Sequence, residues 1–179
     1  MIPMLVYLIR AFKSEQLRRA ALRRNIQIIR PFDWANINNV ILSSDSFIGP
    51  GSNFWGKGKV ILGTNVIFGP NLTIMTSNHD YRSEAFLPYG YEDLVGNVVI
   101  GDNVWIGANV SIVPGVQIGE GCVIGMGSVV TKSFDKLSVV GGNPAKLIGI
   151  RNNDTYERLK AESKFYMADK AKRTRARHG

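Results

Sequence analysis

Two histidines stand in the 179-residue chain, His79 and His178. An imidazole, with its ordinary pKa of about 6.5, is the side chain best matched to take a proton from an attacking hydroxyl near neutral pH. His178 sits in the run Lys170 to Gly179, which carries no apolar stripe and reads as a frayed, solvated tail. His79 is therefore the candidate base. Asp80 follows it directly and Glu84 is near, but adjacent residues seldom orient the same ring. The group on the second ring nitrogen stays open between a carboxylate and a backbone carbonyl. A developing oxyanion would need donors too, and backbone N–H groups of a nearby turn are a common supply. The single cysteine, Cys122, can close neither an intramolecular disulfide nor a cysteine-only zinc site. Two histidines exclude most histidine-based metal sites.

The elements that must position His79 show themselves as a repeat. From Val98 the chain reads VVIGDN VWIGAN VSIVPG VQIGEG CVIGMG SVVTKS, blocks of six residues in phase. The third place holds Ile100, Ile106, Ile112, Ile118, Ile124 and Val130, and the first place Val98, Val104, Val110, Val116, Cys122 and Ser128. Upstream, Leu42, Ile48, Phe54 and Val60 keep the period, and Leu62, Phe68 and Ile74 keep it in a phase shifted by two, with Val66 and Leu72 four residues on from the first two of these. A period of six is neither 2 nor 3.6, so neither an amphipathic strand nor a helix accounts for it. Short strands ended by corners do: the apolar residue points inward, and Gly, Asn or Asp takes the corner, where positive φ is often needed. Three blocks make a triangular coil, and stacked coils form three parallel sheets around one apolar core. The chain has blocks for roughly five or six coils. On this reading Cys122 is a packed small residue, not a nucleophile. The distance from Ile74 to Ile100 is not a multiple of six, so a loop over 77–97 interrupts the coil, and His79 opens it. Functional residues gather on loops held by rigid scaffolds.

Hydrophobic residues make up 45% and charged residues 20%, which suits a folded soluble chain and excludes wholesale disorder. The net charge of +8 belongs to the ends. Residues 1–30 hold seven Arg and Lys against Glu15, and residues 164–179 hold six against Asp169, whereas 31–163 carry nine basic and twelve acidic residues. A mildly acidic body argues against nucleic acid as a partner. The apolar opening from Met1 to Ile9 is stopped by Arg10, far short of the roughly 18 residues that span a bilayer. Its arginines follow the apolar run instead of preceding it, unlike a signal peptide. Leu5, Leu8, Ile9 and Phe12 fit one face of a basic amphipathic helix, which would lie on an anionic membrane surface or pack on its own domain or a partner subunit. The expected location is cytoplasmic, with peripheral contact at the inner face of the membrane as the further expectation. At the other end Asp154-Thr-Tyr-Glu157 reads as a capping box, followed by a stripe through Tyr156, Leu159, Ser163, Tyr166 and Met167. Three parts result: a basic helix over 1–30, a β-helix over 31–151 with the inserted loop, and a helix with basic tail over 152–179.

The repeat blocks, the segment from Pro70 to His79 and the closing Val140-Gly-Gly-Asn-Pro-Ala-Lys-Leu-Ile148 together resemble the hexapeptide-repeat acyltransferases. The nearest branch is that of the maltose/galactoside O-acetyltransferases and the bacterial polysaccharide O-acetyltransferases, and the resemblance covers about residues 40–151. It implies an all-β fold, a left-handed parallel β-helix that departs from the usual right-handed crossover. It further implies a homotrimer with active sites between subunits, acetyl-CoA as donor, no metal, and a sugar or polysaccharide unit as acceptor. His79 falls on the family's catalytic histidine. Trp105, Ala108, Met126, Thr131 and Lys132 match positions lining the family's CoA groove, although Met126 stands where the family usually has alanine. Lys146 matches a basic residue near the nucleotide, and Arg151 would serve similarly. For the acceptor the candidates are Asn78, Tyr81, Arg82 and Tyr89. With Phe86 and Tyr91 they give the loop an aromatic density that suits the apolar faces of sugar rings, or packing onto a neighbouring subunit. N-acetylation of a nucleotide-linked amino sugar or an antibiotic shares the fold, donor and base. A pure scaffold gives no role to His79, and a carbonic-anhydrase-like β-helix would need three histidines.

Overall fold

Each six-residue block folds into a short strand and a corner. The computed structural model describes residues 15–34 and 37–178. Within them the strands stack into a left-handed parallel β-helix with three faces. The first face runs through Gln27–Ile28, Phe47–Ile48, Ile67–Phe68, Trp105–Ile106, Val123–Ile124 and Ser138–Gly141, and ends on the antiparallel strand Lys146–Ile150. The second runs through Phe32–Trp34, Ser52–Trp55, Thr73–Met75, Ser111–Ile112 and Val129–Val130. The third runs through Val40–Leu42, Val60–Leu62, Val98–Ile100 and Gln117–Ile118, and Phe134 adds a bridge to Ile118. Phe68 pairs with Ile48 on one side and Ile106 on the other, so third-place residues stack directly on one another.

That stacking is the core. Ile48, Phe68, Ile106, Ile124 and Val140 line one wall, Phe54, Ile74, Ile112 and Val130 the second, and Leu42, Leu62, Ile100 and Ile118 the third, all buried. First-place residues fill the spaces between: Val66, Val104 and Cys122 in one column, Leu72 and Val110 in another. Cys122 is a buried free thiol whose pKa burial pushes up, as befits a packing residue. Ser46 in the first column and Ser128 in the second are also buried, and their hydroxyls donate to the carbonyls of Ser44 and Gly125, so neither is left unpaired in the core.

The corners carry the turn chemistry that the repeat implies. Asn65, Asn71, Asn103 and Asn109 all have φ between 56° and 60°, a left-handed conformation that asparagine tolerates better than most residues. They stack as pairs: the Asn65 amide donates to Asn103 Oδ1 at 2.8 Å and that of Asn71 to Asn109 Oδ1 at 3.0 Å. The glycine that follows the core aliphatic has a steric reason. A Cβ on Gly107 would lie 2.7 Å from the backbone nitrogen of Met126 in the next coil.

The shift in phase after Phe54 is a longer corner. Phe54 to Leu62 spans two residues more than a standard block, and so does Trp34 to Leu42. Both extensions lie on the edge between the second and third faces. In the third coil the same edge carries the insertion, which begins and ends as a β-hairpin, Ser77–His79 against Asp93–Val95.

The chain ends pack on this solenoid. Residues 15–22 are helical (α1); Ala21 is buried and Leu17 packs on the core, so this part closes one end of the coil. Glu15 gathers Arg18, Arg19 and Arg30, and hydrogen bonds from Arg18 and Arg19 hold its carboxyl at about 2. The expected amphipathic stripe from Leu5 to Phe12 lies outside the described residues, within which no helix is long and apolar enough to cross a membrane. Helix α2 (Asn153–Ala161) corrects the expected capping box: its cap is Asn152, whose side chain accepts from Thr155 N at 2.8 Å. Asp154 lies inside the first turn, where its charge suits the helix dipole. Its Tyr156 hydroxyl donates to Glu120 and accepts from Asn103, and Lys160 pairs with Glu120. Burial opposes ionisation of Glu120, but the bonds from Lys160 and Tyr156 prevail and hold its carboxyl below the ordinary value. The expectation of a frayed tail after Asp169 is also corrected. The chain turns at Ser163 (φ 52°) and continues as α3 (Tyr166–His178), a run of Ala, Lys and Arg with high helix propensity and an Asp169–Arg173 pair. Met167 is buried, and its N–H reaches Asn65 Oδ1.

Candidate active site

The site starts from the register of the hairpin. His79 and Asp93 are directly opposed in its antiparallel ladder, which sets their side chains on one face within reach of each other. The imidazole Nδ1 lies 2.9 Å from Asp93 Oδ1. The other carboxylate oxygen, Oδ2, lies 2.8 Å from Lys57 Nζ, which arrives from the extended corner of the coil below. The Lys57 ammonium first, and His79 after it, lower the Asp93 pKa, while Asp93 raises that of Lys57. An ionised carboxylate can only accept, so the proton between Asp93 and the ring belongs to Nδ1. The lone pair then resides on Nε2, the position a general base needs. Tyr89 stacks on the ring, centroids 4.0 Å apart and planes 8° from parallel. With one edge bonded and one face covered, the side chain of His79 still keeps 55% of its surface open.

Asp80 has other duties: its carboxylate takes the Arg82 backbone N–H and guanidinium. Asn78 Oδ1 accepts from the His79 backbone N–H, Tyr81 is exposed with the Arg82 guanidinium 6.0 Å over its ring, and Tyr89 lies against the base. The structure thus sets Asn78 and Tyr89 against His79, while Tyr81 and Arg82 pair with each other further along the same insertion. It also adds two residues that sequence reasoning missed, Asp93 and Lys57. A signal for Asp93 lay in its position just before the apolar strand that returns to the coil. The signal for Lys57 was the two-residue shift in phase after Phe54.

The residues matched to a CoA groove are not gathered in one protomer. Trp105 projects from the first face, half exposed, into a cleft under α2 and α3 that Arg151, Tyr156, Lys160, Lys164 and Tyr166 also line. Arg151 Nε is buried there without a hydrogen-bond partner. Ala108 and Met126 lie on the edge between the first and second faces, one coil apart, with Met126 75% exposed. Lys146 follows Ala145, whose N–H donates to the Val129 carbonyl near that edge. Thr131 and Lys132 lie on the edge between the second and third faces, above the His79 hairpin, with Lys132 Nζ 5.7 Å over the Phe134 ring. Among the described residues no His, Cys, Asp and Glu side chains cluster as a metal-ligand group.

A left-handed parallel β-helix that presents an oriented imidazole on a hairpin at one edge defines a class of enzyme scaffold. Residues 97–132 match the family described as bacterial transferase hexapeptide (six repeats). A maltose O-acetyltransferase from Clostridium difficile 630 is 32% identical, with 74% of this chain and 73% of that one covered and a TM-score of 0.54. A galactoside acetyltransferase solved with coenzyme A is 29% identical over 74% of this chain and 65% of that one, with a TM-score of 0.60. A hexapeptide-repeat-containing acetyltransferase from Vibrio cholerae O1 biovar eltor, solved with acetyl coenzyme A, is 26% identical over 80% and 79%, with a TM-score of 0.66. The chain belongs to the hexapeptide-repeat acetyltransferases.

Proposed function

We propose that this acetyltransferase moves an acetyl group from acetyl-CoA to a hydroxyl of a sugar or of a cell-envelope polysaccharide unit, with His79 as general base. The observation that carries the reading is the imidazole fixed at Nδ1 by Asp93 and open at Nε2. In the reaction Nε2 takes the proton of the acceptor hydroxyl as its oxygen attacks the thioester carbonyl. The C–S bond then breaks, and the imidazolium returns the proton to the departing thiolate. On the donor side, the cleft lined by Arg151 and by the open indole of Trp105 suits a ligand with phosphates and a flat base. The exposed rings of Tyr81, Phe86 and Tyr91 suit an acceptor with apolar sugar faces.

The scatter of Trp105, Ala108, Met126, Thr131 and Lys132 over separate faces and edges supports a homotrimer whose sites form between subunits. Sedimentation should give a trimer, and a stable, active monomer would overturn this. The hairpin residues have a kinetic signature of their own. Tyr89→Ala should raise the acceptor KM roughly three- to tenfold, the scale of one aromatic contact, and leave the acetyl-CoA KM unchanged. Equal weakening of both substrates would assign Tyr89 to packing instead. The substrate class itself is tested by mass spectrometry after incubation with acetyl-CoA and a panel of cell-envelope saccharides. A gain of one acetyl group that mild alkali removes is the expected ester. An alkali-stable product would be an amide and would reassign the acceptor to an amino sugar or another amine.

A further inference from the structure

The corner Trp55-Gly-Lys-Gly-Lys59 fits under the hairpin with unusual closeness. A Cβ on Gly56, at φ +116°, would lie 2.6 Å from Ser77 N, and one on Gly58 would lie 2.9 Å from Thr76 O and 3.1 Å from Gly96 O. The two glycines therefore allow the corner to enter between the outgoing and returning legs of the insertion. It is bolted there. Thr76 N donates to Trp55 O, the one hydroxyl proton of Thr76 is shared between Trp55 O and Gly58 O, Lys59 N donates to Asn97 Oδ1, and Lys57 N donates to Ser77 Oγ. From the coil below, the Asn39 amide donates to the carbonyls of Lys57 and Gly58. A backbone held from both sides aims the Lys57 ammonium at Asp93 Oδ2, 2.8 Å away, while Oδ1 meets His79.

We propose that Lys57 is a positioning residue for the base: by holding one oxygen of Asp93 it fixes the carboxylate that sets the plane and tautomer of the His79 ring. The proposal rests on the reading of His79 as general base. Lys57 also has an electrostatic part: its ammonium keeps the Asp93 carboxylate ionised, and so an acceptor for the Nδ1 proton. The charged or titratable groups that face this arrangement are Asp93 from the returning strand, Lys57 with its neighbour Glu92, and Tyr89 from the insertion. Asp80 is occupied by Arg82.

The test is the pH profile of kcat/KM for Lys57→Met, Lys57→Arg and His79→Ala, with acetyl-CoA and the acceptor identified by product analysis. Lys57→Met should lower kcat about tenfold, far less than loss of the directly bonded orienting carboxylate would, without changing the acetyl-CoA KM or the melting temperature. Its acidic limb should move to higher pH, since a positive charge beside the site is lost, and only modestly because Lys57 is 68% exposed and screened. Lys57→Arg should keep activity within about threefold of the wild type, since a guanidinium can hold the same oxygen. Should Lys57→Met melt early, Lys57→Gln, which keeps a donor and lacks the charge, carries the same expectation for the limb. Wild-type kcat and an unmoved limb in Lys57→Met overturn the proposal, as do equal losses in the Met and Arg variants with no movement of the limb. If His79→Ala keeps its turnover, the base assignment itself fails. If His79→Ala is inactive and Lys57→Met is normal, the role of Lys57 alone fails.

Discussion

His79→Ala should lower the rate of acetyl transfer by roughly 10²–10⁴-fold, the range that a positioned general base contributes, and leave the β-helix intact. The side chain lies on an exposed hairpin and takes no part in the core, so its loss removes one bond to Asp93 and one stacking contact with Tyr89. Binding of acetyl-CoA should persist, because Trp105, Ala108 and Met126, matched to the donor groove, lie on other parts of the solenoid. Single-turnover acetylation, with a thermal melt of the same sample, checks both halves of the expectation. Near-normal turnover in a folded variant would remove His79 from the chemistry.

Asp93→Asn should be nearly as damaging, on the order of 10²-fold or more in kcat, for a different reason. With an amide at this position, Lys57 holds the carbonyl oxygen and the NH2 group faces the ring. Nδ1 must then accept, the ring proton moves to Nε2, and the lone pair needed for catalysis is lost, as for other bases held by a carboxylate. The defect lies in the tautomer and not in protonation, so raising the pH should not restore the rate. A variant that regains activity at high pH, or one whose kcat stays within threefold of the wild type, would contradict a tautomer-setting role for Asp93. The acetyl-CoA KM should not change in either variant.

The fold was legible because its period is carried by side chains that all do the same thing. Every third-place aliphatic from Leu42 to Val130 is buried, and so are the first-place residues, including Cys122 and Ser128. The corners could be read as well, since asparagine at positive φ leaves a chemical trace in the sequence. His79 stood out as a candidate for the opposite reason: it is the exception, a titratable ring where the repeat stops. Its partners did not, because Asp93 lies on the far leg of a hairpin and meets His79 only through antiparallel register. Lys57 belongs to another coil altogether, and nothing local separates it from a solvated surface charge. The phase slip after Phe54 marked an elongated corner, but its meaning depends on the hairpin stacked above it. At the chain ends the reverse holds. Asp154 has the residue type of a local cap, yet Asn152 has the extended backbone that lets a side chain reach Thr155 N.

Because the chain contains two histidines, the tautomer of the proposed base can be observed directly. In a His178→Gln background, protein labelled with ¹⁵N-histidine gives ring signals from His79 alone. Long-range ¹H–¹⁵N correlation above the titration of the ring should show the proton on Nδ1 and an unprotonated, acceptor-type Nε2. A ring that carries its proton on Nε2, or that averages freely between the two forms, would contradict a base oriented by Asp93 and ready to receive the acceptor's proton.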